Sequence, residues 1–414
     1  MRKIKKIKDV VDWGLCTGCG ACYFFCDRNA VTMKNVYSLG IIACIDEARC
    51  QSCTQCLDFC PGYGVDSSAI DRGFETEPDY HPLVGPAAAV WEGFAADSEI
   101  RYQGSSGGAL SALALYCLEK RGMHFALHVG PDPKIPWGNI SKASSTREDI
   151  LHSAGSRYAP SSPCAHLDLI EKSGSPCVFI GRPCDAAAVN ALRKLRPKLD
   201  ANLGLVLTFF CAGPPCSRGT VDLIQNLGID LDSVASIRFR GRGWPGRFTV
   251  TYGNGEQKTL SYKESWGKLA SSYRSMRCHL CPDGLGECAD ISCGDAWHRH
   301  SGDANPGMSL ILARTEKGRR VVENAMRAQY LILDYSNFIN VVEAQGLVRR
   351  RMELFGRLLA RKLLFVPIPR FNGFDLRSAW YFLSSGQKLK TVAGTLRRIV
   401  MRGLWRKAES LQWK

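Results

Sequence analysis

The sequence predicts an α/β protein in three parts: a small cysteine-rich α+β unit in front, a mixed, largely parallel α/β domain behind it, and a helical C-terminal tail. Three observations carry this. Eight of the nineteen cysteines form two matching runs before residue 61. From about residue 120 to 315, short apolar runs alternate with helical stretches, the pattern of a parallel sheet with crossover helices. After Gly346, the stretches LVRRRMELFGRLLARKLL and GQKLKTVAGTLRRIVMRGLWRKAE are basic and helical. With 414 residues, 45% of them hydrophobic, the chain can fill two or three cores. The expected boundaries are residues 1–75, a linker at 76–100, a main domain at 101–335 and an extension at 336–414.

The front runs are Cys16, Cys19, Cys22 and Cys26, then Cys50, Cys53, Cys56 and Cys60. Each has the C-x2-C-x2-C-x3-C spacing that holds [4Fe–4S] clusters in two-cluster ferredoxins, where the last cysteine of each run ligates the other cluster. Three thiolates in one tight loop take three corners of a cube, and the fourth must come from elsewhere. Cys16, Cys19, Cys22 and Cys60 are therefore expected around one cluster, and Cys50, Cys53, Cys56 and Cys26 around the second. The first run ends in Cys26–Asp27 where Cys-Pro is usual, a small departure. Zinc or disulfides are the alternative, but zinc sites seldom use eight cysteines in a duplicated spacing.

From Thr76 to Gly93 the stretch TEPDYHPLVGPAAAVWEG, with three prolines and no cysteine, reads as a linker. Beyond it, Ser106, Gly107 and Gly108 open the helical run ALSALALYCLEKRG. Such a loop lets backbone N–H groups approach a phosphate, and the helix dipole favours negative charge there; a serine-capped helix is the plain alternative. Gly155, Ser156, Arg157 and Tyr158 put a cation and an aromatic after a glycine turn, a group that could clamp a flavin or form an ordinary turn. Strands are expected at His124–Val129, Cys177–Ile180, Leu203–Phe210 and Ser309–Ala313, a hairpin at 247–261, and a helix from Glu316 to Ala328. Ligands of such sheets gather beyond the strands' carboxyl ends, and Cys184 and Cys211 both fall there. The pair Cys278 and Cys281 supplies a C-x2-C, which by itself suits half a zinc site, a redox dithiol or half a cluster site. With the two strand-end cysteines it makes a set of four, for which Cys216, Cys288 and Cys293 are rivals. Cys44, Cys117, Cys164 and Cys177 read as packed thiols.

The formal charge is +15, but the tail from Lys388 holds eight Lys and Arg against Glu409, and Arg2, Lys3, Lys5, Lys6 and Lys8 crowd the start. Charge confined to the ends argues against a nucleic-acid surface. It argues for contact with an acidic partner protein or, peripherally, an anionic membrane. The tail residues Leu389, Val392, Leu396, Ile399 and Leu404 share one helix face, fitting either a docking helix or one packed on its own domain; the tail is expected to lie apart from the active site. No segment approaches the apolar length that spans a bilayer. Nineteen cysteines with cluster spacing and no signal peptide place the chain in a reducing cytoplasm.

The segments SSGGALSALALYCLEKRG, AGSRYAPS, FIGRPCDAAAV, FFCAG and RCHLCPDGLGECADISCGDAW, in that order over roughly residues 100 to 315, resemble the beta subunits of coenzyme F420-reducing hydrogenases and dehydrogenases. That family also includes 7-hydroxymethyl chlorophyll a reductase, and the ferredoxin-like front is similar to its longer members. The resemblance implies FAD in the α/β domain beside a third [4Fe–4S] cluster held by Cys184, Cys211, Cys278 and Cys281. It also implies that Ser106–Gly108 and Gly155–Tyr158 help hold the flavin. Asp185 departs from the glutamine of many relatives, and the basic tail past Gly346 matches no recognisable part of the family. The expected function is an iron–sulfur flavoprotein oxidoreductase joining one-electron clusters to a flavin that exchanges hydride with a deazaflavin or another organic substrate. A ferredoxin or another oxidoreductase subunit would be its redox partner. A non-enzymatic electron-transfer subunit is the alternative. No acid–base residue stands out; His124, His128 and Arg157 are within reach, and the catalytic role is left unassigned.

Overall fold

A computed structural model describes residues 3–302 and 306–408, so Arg2, Glu409 and Lys414 of the basic ends lie outside the described residues. In the front unit, the strands Val31–Val36 and Gly40–Ile45 pair as an antiparallel hairpin over a core that includes Val10, Leu15 and Phe59.

The main domain is built on one eight-stranded sheet. In chain order its strands are β1 (Ala89–Ala95), β2 (Ala126–Pro131), β3 (Asn139–Ser144), β4 (Cys177–Gly181), β5 (Leu203–Phe209), β6 (Ile291–Asp295), β7 (Ser309–Ala313) and β8 (Leu331–Tyr335). Across the sheet they run β8-β1-β7-β6-β5-β4-β2-β3. The middle strands β6, β5, β4 and β2 are mutually parallel, and the pairs on either side are antiparallel. Buried on both faces, β4 and β7 read as unbroken apolar runs, which is why the sequence reveals them.

Alternation along the strands divides the core in two. Val178, Ile180, Leu205 and Leu207 face helix α1 (Ala109–Arg121), whose Ala112, Leu113, Leu115 and Tyr116 are buried against them. Cys177, Phe179 and Val206 face the other way, toward helix α2 (Pro183–Arg193) with its Ala186, Ala188 and Val189. The front unit joins this second core, since Leu15, Cys19, Cys22 and Phe59 belong to the same buried cluster.

One expectation needs correction. Residues 76–100 are more than a linker: they supply β1, which pairs with both β7 and β8, and Trp91 on it is fully buried. The prolines that suggested a linker, Pro82 and Pro86, stop short of that strand. Of the two readings left open for the tail, a docking helix or one packed on its own chain, the structure has the second for much of it. Helix α3 (Leu347–Leu363) packs on the Met276–Leu280 turn, and the short strand Arg370–Asn372 pairs in parallel with Gly64–Asp66 of the front unit. Helix α4 (Ser385–Met401) packs on α3 through the buried Thr395 and Ile399, while Leu389, Val400 and Met401 stay exposed. Lys407 closes the wrap, its ammonium 2.5 Å from the Asp9 carboxylate. Among the described residues no helix is long and apolar enough to cross a membrane. The expected hairpin near residue 250 gains a third strand, giving Val234–Arg238, Phe248–Tyr252 and Glu256–Leu260.

Candidate metal centres and cofactor cleft

The first cysteine run turns through Gly20 at φ +89°, where a side chain would come within 2.7 Å of the Ala165 backbone nitrogen. Burial, and then Cys19, Cys16, Cys60 and more weakly Cys56, push the Cys22 thiol far up. Cys60 is pushed up by burial and then by Cys19 and Cys16. Cys56 rises to about 12 through burial and then Cys26, Cys53 and Cys50. Cys22 and Cys60 thus both lie near Cys16 and Cys19, and Cys56 lies near Cys26, Cys50 and Cys53, with Cys22 close enough to sense Cys56 as well; the two neighbouring sets match the expected cross-ligation. Cys53 is exposed, so the second set is the outer one. Cys164, read from sequence as a packed thiol, is fully buried; its N–H donates to the Cys19 carbonyl at 3.0 Å and its thiol lowers the Cys19 pKa by hydrogen bonding.

A third set gathers in a cavity of about 60 Å³ between the sheet and the front unit. Cys184 enters it from the start of α2, Cys211 from just past β5, and Cys278 and Cys281 from the Met276–Leu280 turn and the residue after it. Cys16 of the front unit lines the same cavity. Gly213 holds φ +105° there, and a Cβ would lie 2.9 Å from the Cys278 sulfur. Burial and then Cys278 raise Cys211 to about 12. Cys184 is raised well above the ordinary thiol range by burial, against the pull of Arg182. The rivals Cys216, Cys288 and Cys293 are buried elsewhere and do not line the cavity. All donors are thiols in fours, the chemistry of a [4Fe–4S] cage. Among the described residues no group of three or more His, Cys, Asp or Glu side chains could hold a single metal ion.

Asp185 is held by a local contact. Its carboxylate takes the Arg182 fork at 2.7 and 2.8 Å and the Arg182 backbone N–H at 2.8 Å, with both residues buried. The pair caps α2 one residue from Cys184.

The two glycine loops meet. Ser156 donates its N–H to Ser105 Oγ, and Gly155 lies against the Arg240 carbonyl. Ser106 Oγ and the Gly107 N–H both bond Ser309 Oγ, at 2.7 and 2.9 Å, which ties that loop to β7. Gly108 then opens α1. In front of these loops lies a cleft of about 770 Å³ whose walls include Ser156 and Arg157 but not Ser106, Gly107, Gly108, Gly155 or Tyr158. Tyr158 instead packs on Trp266, ring centres 4.3 Å apart. His128 is hydrogen-bonded to Ser144 and His124 to Ser173, and neither reaches the cleft.

Several arginines line the cleft; the sequence reading named Arg157 and missed the others. Arg157, Arg238, Arg242 and Arg247 line it and make no carboxylate ion pair within 4 Å among the described residues, although Asp132 on the same wall favours the Arg157 charge. Arg157 donates to Asn139 and the Gly138 carbonyl at 2.5 and 2.8 Å; burial and then Arg238 lower its pKa to about 10. Arg240 is neutralised by a forked bond to Asp295 at 2.7 and 3.0 Å, and Trp244 donates to the same carboxylate. Arg238 ends the strand Val234–Arg238, and Arg240 and Arg242 follow in a turn where Gly241 and Arg242 take positive φ, so no strand periodicity in the sequence marks them as a group. A cleft with several uncompensated guanidiniums suits a phosphate- or carboxylate-rich ligand.

Two sequence models of one family, the coenzyme F420 hydrogenase/dehydrogenase beta subunit, match the chain: the model of its N-terminal part at residues 90–167 and the model of its C-terminal part at 175–336. A 4Fe-4S binding domain matches residues 9–32. The chain is 26% identical over 378 residues to the coenzyme F420-dependent sulfite reductase of Methanocaldococcus jannaschii, covering 86% of this chain and 52% of that protein, about half its length. It is 26% identical over 288 residues to the coenzyme F420 hydrogenase subunit beta of Methanococcus voltae, covering 66% of this chain and 95% of that one. A chain of the F420-reducing [NiFe] hydrogenase complex from Methanosarcina barkeri, solved with xenon, shares the fold with a TM-score of 0.50 at 24% identity, over 62% of this chain and 85% of that one. With both family models matched across the central sheet and a 4Fe-4S domain before it, the chain belongs to the coenzyme F420 hydrogenase/dehydrogenase beta-subunit family of oxidoreductase subunits.

Proposed function

We propose that this chain is an iron–sulfur flavoprotein that passes electrons between three [4Fe–4S] clusters and FAD, and exchanges hydride with a deazaflavin such as coenzyme F420 or with another organic substrate. When bound, the clusters carry electrons singly and the flavin takes or gives them in pairs. The observation that carries this reading is Cys16: a cysteine of the front unit shares a wall with Cys184, Cys211, Cys278 and Cys281. A relay then runs from the outer set at the exposed Cys53, where a redox partner protein would dock, through the set containing Cys16, to the inner set.

The chain's own residues do the positioning. Ser309 fixes the Ser106–Gly107 loop, and Gly108 opens α1 behind it. Ser156 and Arg157, with Arg238, Arg242 and Arg247, present N–H donors and positive charge to a polyanionic cofactor or substrate tail. The relatives' names, which specify F420, support the deazaflavin as substrate.

The test is the cofactor content and turnover of anaerobically purified protein. The reading expects about twelve irons, as three four-iron clusters require, with one FAD per chain and reoxidation of the reduced flavin by oxidised F420. Protein that keeps its iron but binds no flavin would overturn it in favour of a subunit that only hands electrons between proteins.

A further inference from the structure

Helix α3 lies beyond both matched family segments, which end at residue 336, yet it reaches the inner cysteines. Its Arg350 is buried and lines their cavity. The guanidinium forks onto two backbone carbonyls of the ligand loop, Cys211 at 2.8 Å and Ala212 at 3.0 Å. Neighbouring arginines on the helix are matched by carboxylates, Arg349 and Arg357 by Glu353 and Arg351 by Glu287. Arg350 has none among the described residues. A buried cation without an anion is costly, and four thiolates around an iron–sulfur core are the anion this cavity can supply.

Two other cations at the cavity are differently committed. Arg182 is neutralised by Asp185. Arg277 bridges the Leu280 and Pro61 carbonyls, so it faces the front unit and the inner site alike. Of the three that line the cavity only Arg350 adds an unmatched charge on the inner side alone; Arg274, outside its walls, donates to the same Ala212 carbonyl at 3.0 Å and adds to the positive field there.

We propose that Arg350 is a positioning residue that holds the Cys211 loop and raises the reduction potential of the inner cluster above that of the front pair. The proposal rests on the three-cluster reading above. Reduction adds negative charge to an already anionic cluster, and a fixed cation beside it favours the reduced form. One electron lost by the neighbouring front cluster is then gained by the inner one, with no bond made or broken, and flow runs inward toward the cleft.

The experiment is an EPR-monitored redox titration of full-length, anaerobically reconstituted protein, with iron counted in each sample. Arg350→Gln should keep its irons while the reduced-to-oxidised ratio of the inner cluster at fixed potential falls about tenfold, a downward shift of about 59 mV for one electron. The front clusters should not move, and Arg350→Lys, which keeps the charge, should titrate near wild type. An unshifted inner cluster in Arg350→Gln, or a Lys variant that shifts as far as Gln, overturns the proposal. If Arg350→Gln loses the inner irons, Arg350→Lys decides: iron kept at the wild-type potential supports the charge role, and any other result rejects it. Wild-type protein with only about eight irons and no third signal refutes the three-cluster reading itself, a failure distinct from an unshifted third cluster.

Discussion

In the front unit, each run of four cysteines spans eleven residues, and Gly20 and the Ala21–Phe25 turn bring the thiols together locally. The inner four are spread from Cys184 to Cys281 and meet only because β4 and β5 run parallel and end side by side, with the Met276–Leu280 turn and α3 closing over them. Each front set draws three thiols from one short run and its fourth from the other; the inner set is a property of the whole sheet. It follows that the inner site should be easier to lose, and that its surroundings rather than its spacing govern its behaviour.

The largest expected effect separates the two directly. Cys281→Ser should cost about four irons per chain and leave about eight in the front unit, read by iron and labile-sulfide analysis; loss of front iron as well would erase the distinction. Next, Asp185→Ala strands the buried Arg182 beside Cys184 and should destabilise the main domain by about 3–5 kcal/mol. Anaerobic urea unfolding followed by near-UV signals should show the sheet failing before the front unit's visible absorbance. The smallest effect concerns acid. Burial lowers the His128 pKa from 6.5 to about 4, whereas residues 1–75 contain no histidine. A depressed histidine favours its neutral form when folded, so this stability is complete above the unfolded pKa and drains as pH falls toward the folded one. At pH 5 the loss is about 2 kcal/mol relative to pH 7. His128→Gln should flatten that dependence, and an equally acid-sensitive variant would remove histidine from the account.

The same contrast explains what could be read from the sequence. The front cysteines were legible because cluster spacing is written in consecutive residues. Strands β4, β5 and β7 were legible because burial on both faces leaves an unbroken apolar run. Strand β1 was hidden by Pro82 and Pro86 just ahead of it, since turn chemistry in a short window masks the alternation that follows. Cys278 and Cys281 announced a site without saying which other cysteines complete it, because that depends on strand order. Apart from Arg157, the cleft arginines escaped for a related reason, as did Arg350. Periodicity shows that Arg350 shares a helix with other cations, but only packing shows that it meets the Cys211 carbonyl while Arg351 meets Glu287. The role of Asp185 is likewise set by packing, since Arg182 folds onto its carboxylate.

The account stands on the inner cysteine set lying against the front one, and the magnetic behaviour of the fully reduced protein tests that directly. Dithionite-reduced wild-type protein should show an EPR spectrum broadened by interaction between neighbouring clusters, including a component that vanishes in Cys281→Ser while the front pair's own signals persist. A wild-type spectrum identical to that of Cys281→Ser would contradict it.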